Sequence, residues 1–190
     1  MGGTMTLGVE TKRPAPPAAR PVAGLAAGML VAGMILAAPA LAQQPAPKRL
    51  GSFQDWTAYE YQEAGEKVCF ILSRPTRKNG AERSRGDAYV MVTYRTADKV
   101  RDEVSVNFGA TLKEKSQAQM QIGGTKVPMV TDRDTAWTTN PGQDKVAVDA
   151  MVRGADMQIS AVTSKGTQID DTYSLMGVTA ARKAITDACR

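Results

Sequence analysis

Histidine is absent from all 190 residues, so the enzyme routes that remain would have to use carboxylates. Ser-His-Asp and Cys-His nucleophile systems and the common zinc sites are excluded on that ground. Asp55, Asp102, Glu103, Asp149 and Asp171 remain as candidates for a pair of carboxylates working across a cleft, which needs roughly 5–10 Å between the two groups. Asp170 and Asp171 are neighbours, and in a strand neighbours point to opposite faces, so they could share a site only in a turn. Asp132-x-Asp134 opens like a calcium loop, but Trp137 stands at the sixth position and Gln143 at the twelfth, where glycine and glutamate are required. A phosphate-cradling GxxxxGK[ST] run is missing as well. The residues therefore imply no cofactor and no metal.

Recognition without catalysis has better material. Trp56 and Trp137 are either packing residues or stacking platforms for a sugar ring. Arg101-Asp102-Glu103 has the mixed signs of a salt-bridged strand entrance or of a polar recognition site. The cations between Arg74 and Arg85 form a basic stretch without an aromatic residue, which is a solvated loop or a contact for acidic lipid or polysaccharide. It is a poor nucleic-acid surface, because nothing in it can stack on a base.

The elements that must position these residues begin after an N-terminal segment of a different kind. A basic, proline-dotted stretch to Arg20 precedes an apolar run from Val22 to Ala38 and the tail Pro39-Ala40-Leu41-Ala42. That layout predicts a secretory signal peptide over 1–42, cleaved between Ala42 and Gln43; a retained anchor is the alternative. The apolar run is short of the roughly 20 residues a bilayer span wants, so the membrane is expected to be met only through this segment before cleavage. Residues 43–52 read as a flexible leader and 53–190 as a single domain. Export predicts a periplasmic or secreted protein, and in an oxidising compartment Cys69 and Cys189 read as one disulfide. Two buried free thiols are the alternative, and a redox-active pair lacks the CxxC spacing.

Within the domain, period-two alternation predicts short strands around Trp56–Tyr59, Val68–Leu72, Tyr89–Tyr94, Val104–Phe108, Ala118–Ile122 and Lys126–Val130. Gly123-Gly124 marks a two-residue hairpin, with both glycines expected at positive φ. Pro128 suggests an edge strand or a bulge. Val146, Val148, Ala150 and Val152 read as a further strand, turning at Arg153–Asp156 into Met157–Ala161; Tyr173–Leu175 is the last. The period then changes at Val178, Ala181, Ile185 and Ala188, predicting one C-terminal α-helix capped by Thr179. The expected fold is mainly β: an antiparallel sandwich, or a closed barrel-like sheet, of about eight short strands with that helix.

Several separate blocks also carry a resemblance. Gly51-Ser52-Phe53-Gln54-Asp55-Trp56, Val68-Cys69-Phe70 with Ser73-Arg74-Pro75, Arg101-Asp102-Glu103-Val104-Ser105, Thr135-Ala136-Trp137, Gly166-Thr167, Asp171 through Gly177, Thr179-Ala180-Ala181 and Ala188-Cys189 together resemble the invasion-associated locus B (IalB) family. The resemblance runs from about Gly51 to Cys189. It implies a small exported bacterial protein of the Gram-negative cell envelope with no established catalytic residues, hence a non-enzymatic binding or interaction protein. The family name implies a link to host-cell invasion or envelope integrity without supplying a mechanism. Some relatives carry a further cysteine where this chain has Tyr59 and Tyr61, which leaves Cys69–Cys189 as the one possible bridge. The expected partner is an envelope protein or polysaccharide; the oligomeric state is not legible in the residues.

Overall fold

The computed structural model describes residues 46–79 and 85–190. The predicted signal segment with its cleavage point between Ala42 and Gln43 lies outside these residues, as does part of the basic stretch. One compact unit runs from Gln43 to Arg190. Its strands are β1 (Lys48–Phe53), β2 (Trp56–Glu63), β3 (Glu66–Ser73), β4 (Arg77–Asn79), β5 (Tyr89–Arg95), β6 (Val100–Asn107), β7 (Gln117–Ile122), β8 (Thr125–Asp132), β9 (Thr135–Thr138), β10 (Asp156–Val162) and β11 (Gln168–Ser174). Helix α1 (Pro141–Arg153) joins β9 to β10, and α2 (Val178–Ala188) follows β11. All eleven strands form one antiparallel sheet in the order β1-β2-β3-β5-β6-β9-β8-β7-β10-β11-β4.

Alternation decides which face each residue takes. Trp56 and Ala58 on β2, Cys69 and Ile71 on β3, Val90, Val92 and Tyr94 on β5, and Val104 and Val106 on β6 all point inward to a single core. Met120, Val127, Met129, Met157, Ile159, Ile169 and Tyr173 fill the same core from the other half of the sheet. So long a sheet can share one core only by curling, as twisted sheets do. Its far ends do approach: the Trp56 Nε1–H donates to the Ser174 carbonyl at 3.0 Å, and the Asp55 N–H donates to that of Met176 at 3.3 Å. The edges β1 and β4 do not pair with each other, so the sheet stays unclosed. Gly177 makes this approach possible, since its φ is +95° and a Cβ there would stand 1.9 Å from the Phe53 carbonyl oxygen.

Both helices cover the inner face, α1 against β6 to β9 and α2 against β1, β2, β3 and β5. On α2 the stripe Val178, Ala181 and Ile185 is buried as its spacing predicts. A disulfide joins Cys69 of β3 to Cys189 just beyond α2, with Cα atoms 6.1 Å apart.

The expected mostly β, antiparallel fold with a C-terminal helix is thus present, as one continuous sheet with more strands than the sequence suggested. The largest difference is 146–152, which is helix where a strand was expected. Its valine alternation is only half real: Ala147, Val148, Ala150 and Met151 are buried, whereas Val146 and Val152 are 43% and 40% exposed. Asn140 at the N-cap, Pro141 in the first turn and Arg153 in the last give the helix its ends. Residues 48–52, expected within a flexible leader over 43–52, are strand, because β1 pairs with β2 from Lys48. Gly177, and not Thr179, occupies the N-cap of α2. At the Gly123-Gly124 hairpin only Gly123 takes a positive φ. Pro128 lies in an internal strand, yet β9 pairs with β8 only from Met129 to Asp132, so the missing N–H falls where no neighbour needs it.

Candidate functional site

The mixed triplet Arg101-Asp102-Glu103 sits on a β-bulge. Thr93 pairs with Glu103 and Arg95 with Val100, so Tyr94 of β5 faces both Arg101 and Asp102 of β6. Asp102 takes the left-handed backbone the bulge needs, with φ 62°. The three side chains then leave in three directions. Arg101 lies over the Tyr94 ring, 5.2 Å from its centroid, a cation–π arrangement. Asp102 turns toward α2, where Arg182 donates to both of its oxygens at 2.7 Å and the Tyr94 hydroxyl donates to Oδ1 at 3.0 Å. Glu103 accepts from both terminal nitrogens of Arg95 at 2.7 and 2.8 Å. These carboxylates hold the Arg182 and Arg95 guanidiniums more firmly protonated than usual, while burial pushes the Tyr94 hydroxyl up.

The two tryptophans separate cleanly. Trp56 is fully buried in the core with its N–H satisfied by Ser174, which removes it from the recognition set. Trp137 points to the outer face of the sheet, between its strand partners Ser105 and Val130, and is half-buried. It lies between two clefts, each of about 600 Å3. One is shared with Lys99, Arg101, Glu103, Asn140 and Asp144. The other is shared with Thr111, Asp132, Arg133 and Asp134 around the β8–β9 turn. The fold thus brings Arg101, Glu103 and Trp137 to one cleft and turns Asp102 away from it.

The remaining carboxylate candidates do not join them. Asp149 stands on the exposed face of α1 in an ion pair with Lys145 at 2.6 Å, and Asp55 lies in the β1–β2 turn. Asp171 points into the core on β11 beside Arg85, while its neighbour Asp170 faces out, as strand alternation requires. Arg85 also corrects the reading of the basic stretch as wholly solvated, since its side chain is buried.

Asp144 is the cleft residue that the sequence reading missed, because 146–152 read as strand. The Asn140-Pro141 helix start was the available signal. Asp144 Oδ1 accepts from the Val104 N–H at 2.8 Å and from the Thr138 hydroxyl. Burial pushes its carboxyl above the ordinary carboxylate range, against the pull of those two donors. The folded state therefore keeps this proton at pH values where the unfolded chain has lost it, and stability falls as pH rises from about 4 through the raised folded pKa. Asp144→Asn keeps the acceptor and removes the titration. Thermal melts between about pH 4 and 7 should show a shallower decline for the variant than for the parent; equal slopes would contradict this reading.

Among the described residues no helix is long and apolar enough to cross a membrane. No curated protein sequence matches the chain at a significant level. Among solved structures, invasion associated protein B from Bartonella henselae has the same fold: it aligns with a TM-score of 0.51 at 12% identity, over 73% of this chain and 95% of that one. The family model described as invasion associated locus B (IalB) protein matches residues 56–186. That match spans β2 to β11, α1, most of α2 and the Trp137 clefts, and the chain belongs to the invasion associated locus B family.

Proposed function

We propose that this protein is an exported, envelope-associated binding protein that works without catalysis and engages an envelope protein or polysaccharide through the surface around Trp137. The observation that carries the proposal is the half-buried indole standing between two clefts of about 600 Å3 lined with charged and amide side chains. Such a platform with polar groups on its flanks suits a sugar ring or an aromatic-rich protein contact. The N-terminal segment, with its apolar run and Ala40-x-Ala42 tail, supports delivery to the envelope. Family membership supports the same compartment, and with it a role in envelope integrity or contact with a host cell.

A carboxylate-dependent enzyme acting on polysaccharide is the other reading, because Glu103 and Asp144 line one cleft. Their hydrogen bonds weigh against it. Both Glu103 oxygens are held by Arg95, so Asp144, whose Oδ1 accepts from Val104 and Thr138, has no second free carboxylate across the cleft. General acid–base work needs a carboxyl free to exchange a proton with substrate.

The test is retention of envelope polysaccharide and of envelope protein, assayed separately, on the immobilised Gln43–Arg190 unit. Trp137→Ala should weaken retention by about tenfold or more, as loss of a central aromatic anchor does. Equal retention by parent and variant would overturn the assignment. Turnover of the retained polysaccharide, lost in Glu103→Gln, would favour the enzyme instead.

A further inference from the structure

A further cavity of about 350 Å3 shares Lys99, Val100 and Arg101 with the cleft beside Trp137 but is not lined by the indole. Its lining includes Arg95, Lys99, Arg101 and Arg190 and contains no carboxylate side chain. Two of these four cations are already neutralised, Arg95 by Glu103 and Arg190 by Asp187. Lys99 and Arg101 form no ion pair among the described residues. The carbonyl end of α2 faces this region and takes up part of the positive charge. However, Lys67 satisfies the Ala188 carbonyl at 2.9 Å, and the contact of Arg101 with the Cys189 carbonyl is long, 3.5 Å through one nitrogen. The other Arg101 donors are left for a ligand.

The cavity is built rather than incidental. The Arg101 guanidinium lies over the Tyr94 ring, 5.2 Å from its centroid. Lys99 closes the turn after β5 with its N–H toward the Thr96 carbonyl and adopts a left-handed φ of 56°, a conformation uncommon outside glycine and concentrated where position matters. The Cys69–Cys189 bridge fixes the floor. Arg101, held in this way, loses less freedom on binding than an unsupported side chain, and the turn fixes where the Lys99 side chain starts.

We propose that this cavity binds a phosphate monoester carried on a sugar-sized group, with Lys99 and Arg101 holding the phosphate oxygens. Two unpaired cations match the charge of about −1.5 to −2 on such a group at neutral pH, whereas a carboxylate would satisfy only one. The volume exceeds the need of a bare phosphate and lies at the low end of ligand pockets, about 300–1,000 Å3. This site shares Lys99, Val100 and Arg101 with the cleft beside Trp137 but not Trp137 itself, and the phosphate reading does not rest on a ligand at the indole.

The phosphate could arrive on a free sugar or on a lipid headgroup, and the experiment separates the two. The purified protein is titrated calorimetrically with glucose 6-phosphate and with glucose, and sedimented with phosphatidylcholine vesicles with and without phosphatidic acid. Saturable binding of glucose 6-phosphate but not glucose supports a soluble sugar phosphate. Binding confined to phosphatidic acid vesicles supports a lipid headgroup. In either case Lys99→Ala/Arg101→Gln should weaken binding by about tenfold or more, while Lys99→Arg should retain it. If the double variant fails to fold, the exposed Lys99→Ala alone decides between the same outcomes. Absence of saturable binding to both phosphate probes, equal binding of glucose, or parent-like binding by the charge-removed variant would overturn the proposal.

Discussion

Replacing Cys69 and Cys189 together by serine is expected to destabilise the domain by roughly 4–5 kcal/mol, the chain-entropy value for so long a closed loop before any strain is subtracted. The bridge spans a sequence separation of 120 and ties the residue after α2 to β3 in the middle of the sheet's first half. It is buried, with Cys69 and Cys189 at 0% and 1% exposure, so serine at these positions also leaves hydroxyls in an apolar setting. Denaturant unfolding of oxidised parent, reduced parent and double serine variant checks this. Reduced parent and variant should lose stability to a similar extent. A loss under about 1 kcal/mol in both would mean that the apolar stripe of α2, with Arg182–Asp102 and Lys67, holds it without help from the bridge.

The second large effect lies inside the sheet. Arg85 and Asp171 form an ion pair with side-chain exposures of 1% and 0%. Arg85 Nε also donates to the Phe108 carbonyl at 2.7 Å. Asp171 Oδ1 and the Tyr173 hydroxyl have no hydrogen-bond partner among the described residues, so this part of the core already carries incompletely satisfied polar atoms. Burial pushes the carboxyl of Asp171 up while Arg85 holds it down, and the Tyr173 hydroxyl is raised well above its usual range. Arg85→Met would strand a buried carboxyl and should destabilise by about 3–5 kcal/mol. Arg85→Met/Asp171→Leu removes both charges and should recover a large part of that loss, because an apolar pair of similar volume can replace a buried ion pair. Equilibrium urea unfolding of the parent and both variants gives the comparison. A double variant as unstable as the single would show that the Phe108 carbonyl contact, rather than the charge pair, governs the site.

How far the fold was legible depended on which signal each segment carried. Strands with one clean buried face, such as β3, β5 and β7, announced themselves by period-two alternation, and α2 by its change of period. Helix α1 was hidden because its valines happen to alternate while its burial follows the helical spacing of Ala147, Val148 and Met151. Strands β1, β4 and β9 carry too few apolar residues to show a period; their pairing comes from neighbours already in place. The curl of the sheet depends on long-range contacts, Trp56 to Ser174 and Gly177 to Phe53, that no local pattern contains.

The site was legible in part for the same reasons. Arg101, Glu103 and Trp137 stand out by residue type, and the fold gathers them. Asp102 stands out with them and is turned away by the bulge, a one-residue shift with no local signature. Trp56 was indistinguishable from Trp137 by composition, and only burial separates them. Arg85, placed by type in a solvated stretch, is buried because its charge meets Asp171 inside the sheet.

The contrast between the two indoles allows the most direct measurement of the central claim. Trp137 is half-buried and Trp56 fully so, and the chain has no other tryptophan, so accessible fluorescence reports on the proposed recognition surface alone. Acrylamide quenching is measured with and without purified envelope polysaccharide and envelope protein fractions. The binding account predicts that one fraction shields the quenchable component, and that Trp137→Phe abolishes this component without altering the buried emission. Quenching of Trp137 unchanged at saturating amounts of both fractions would contradict it.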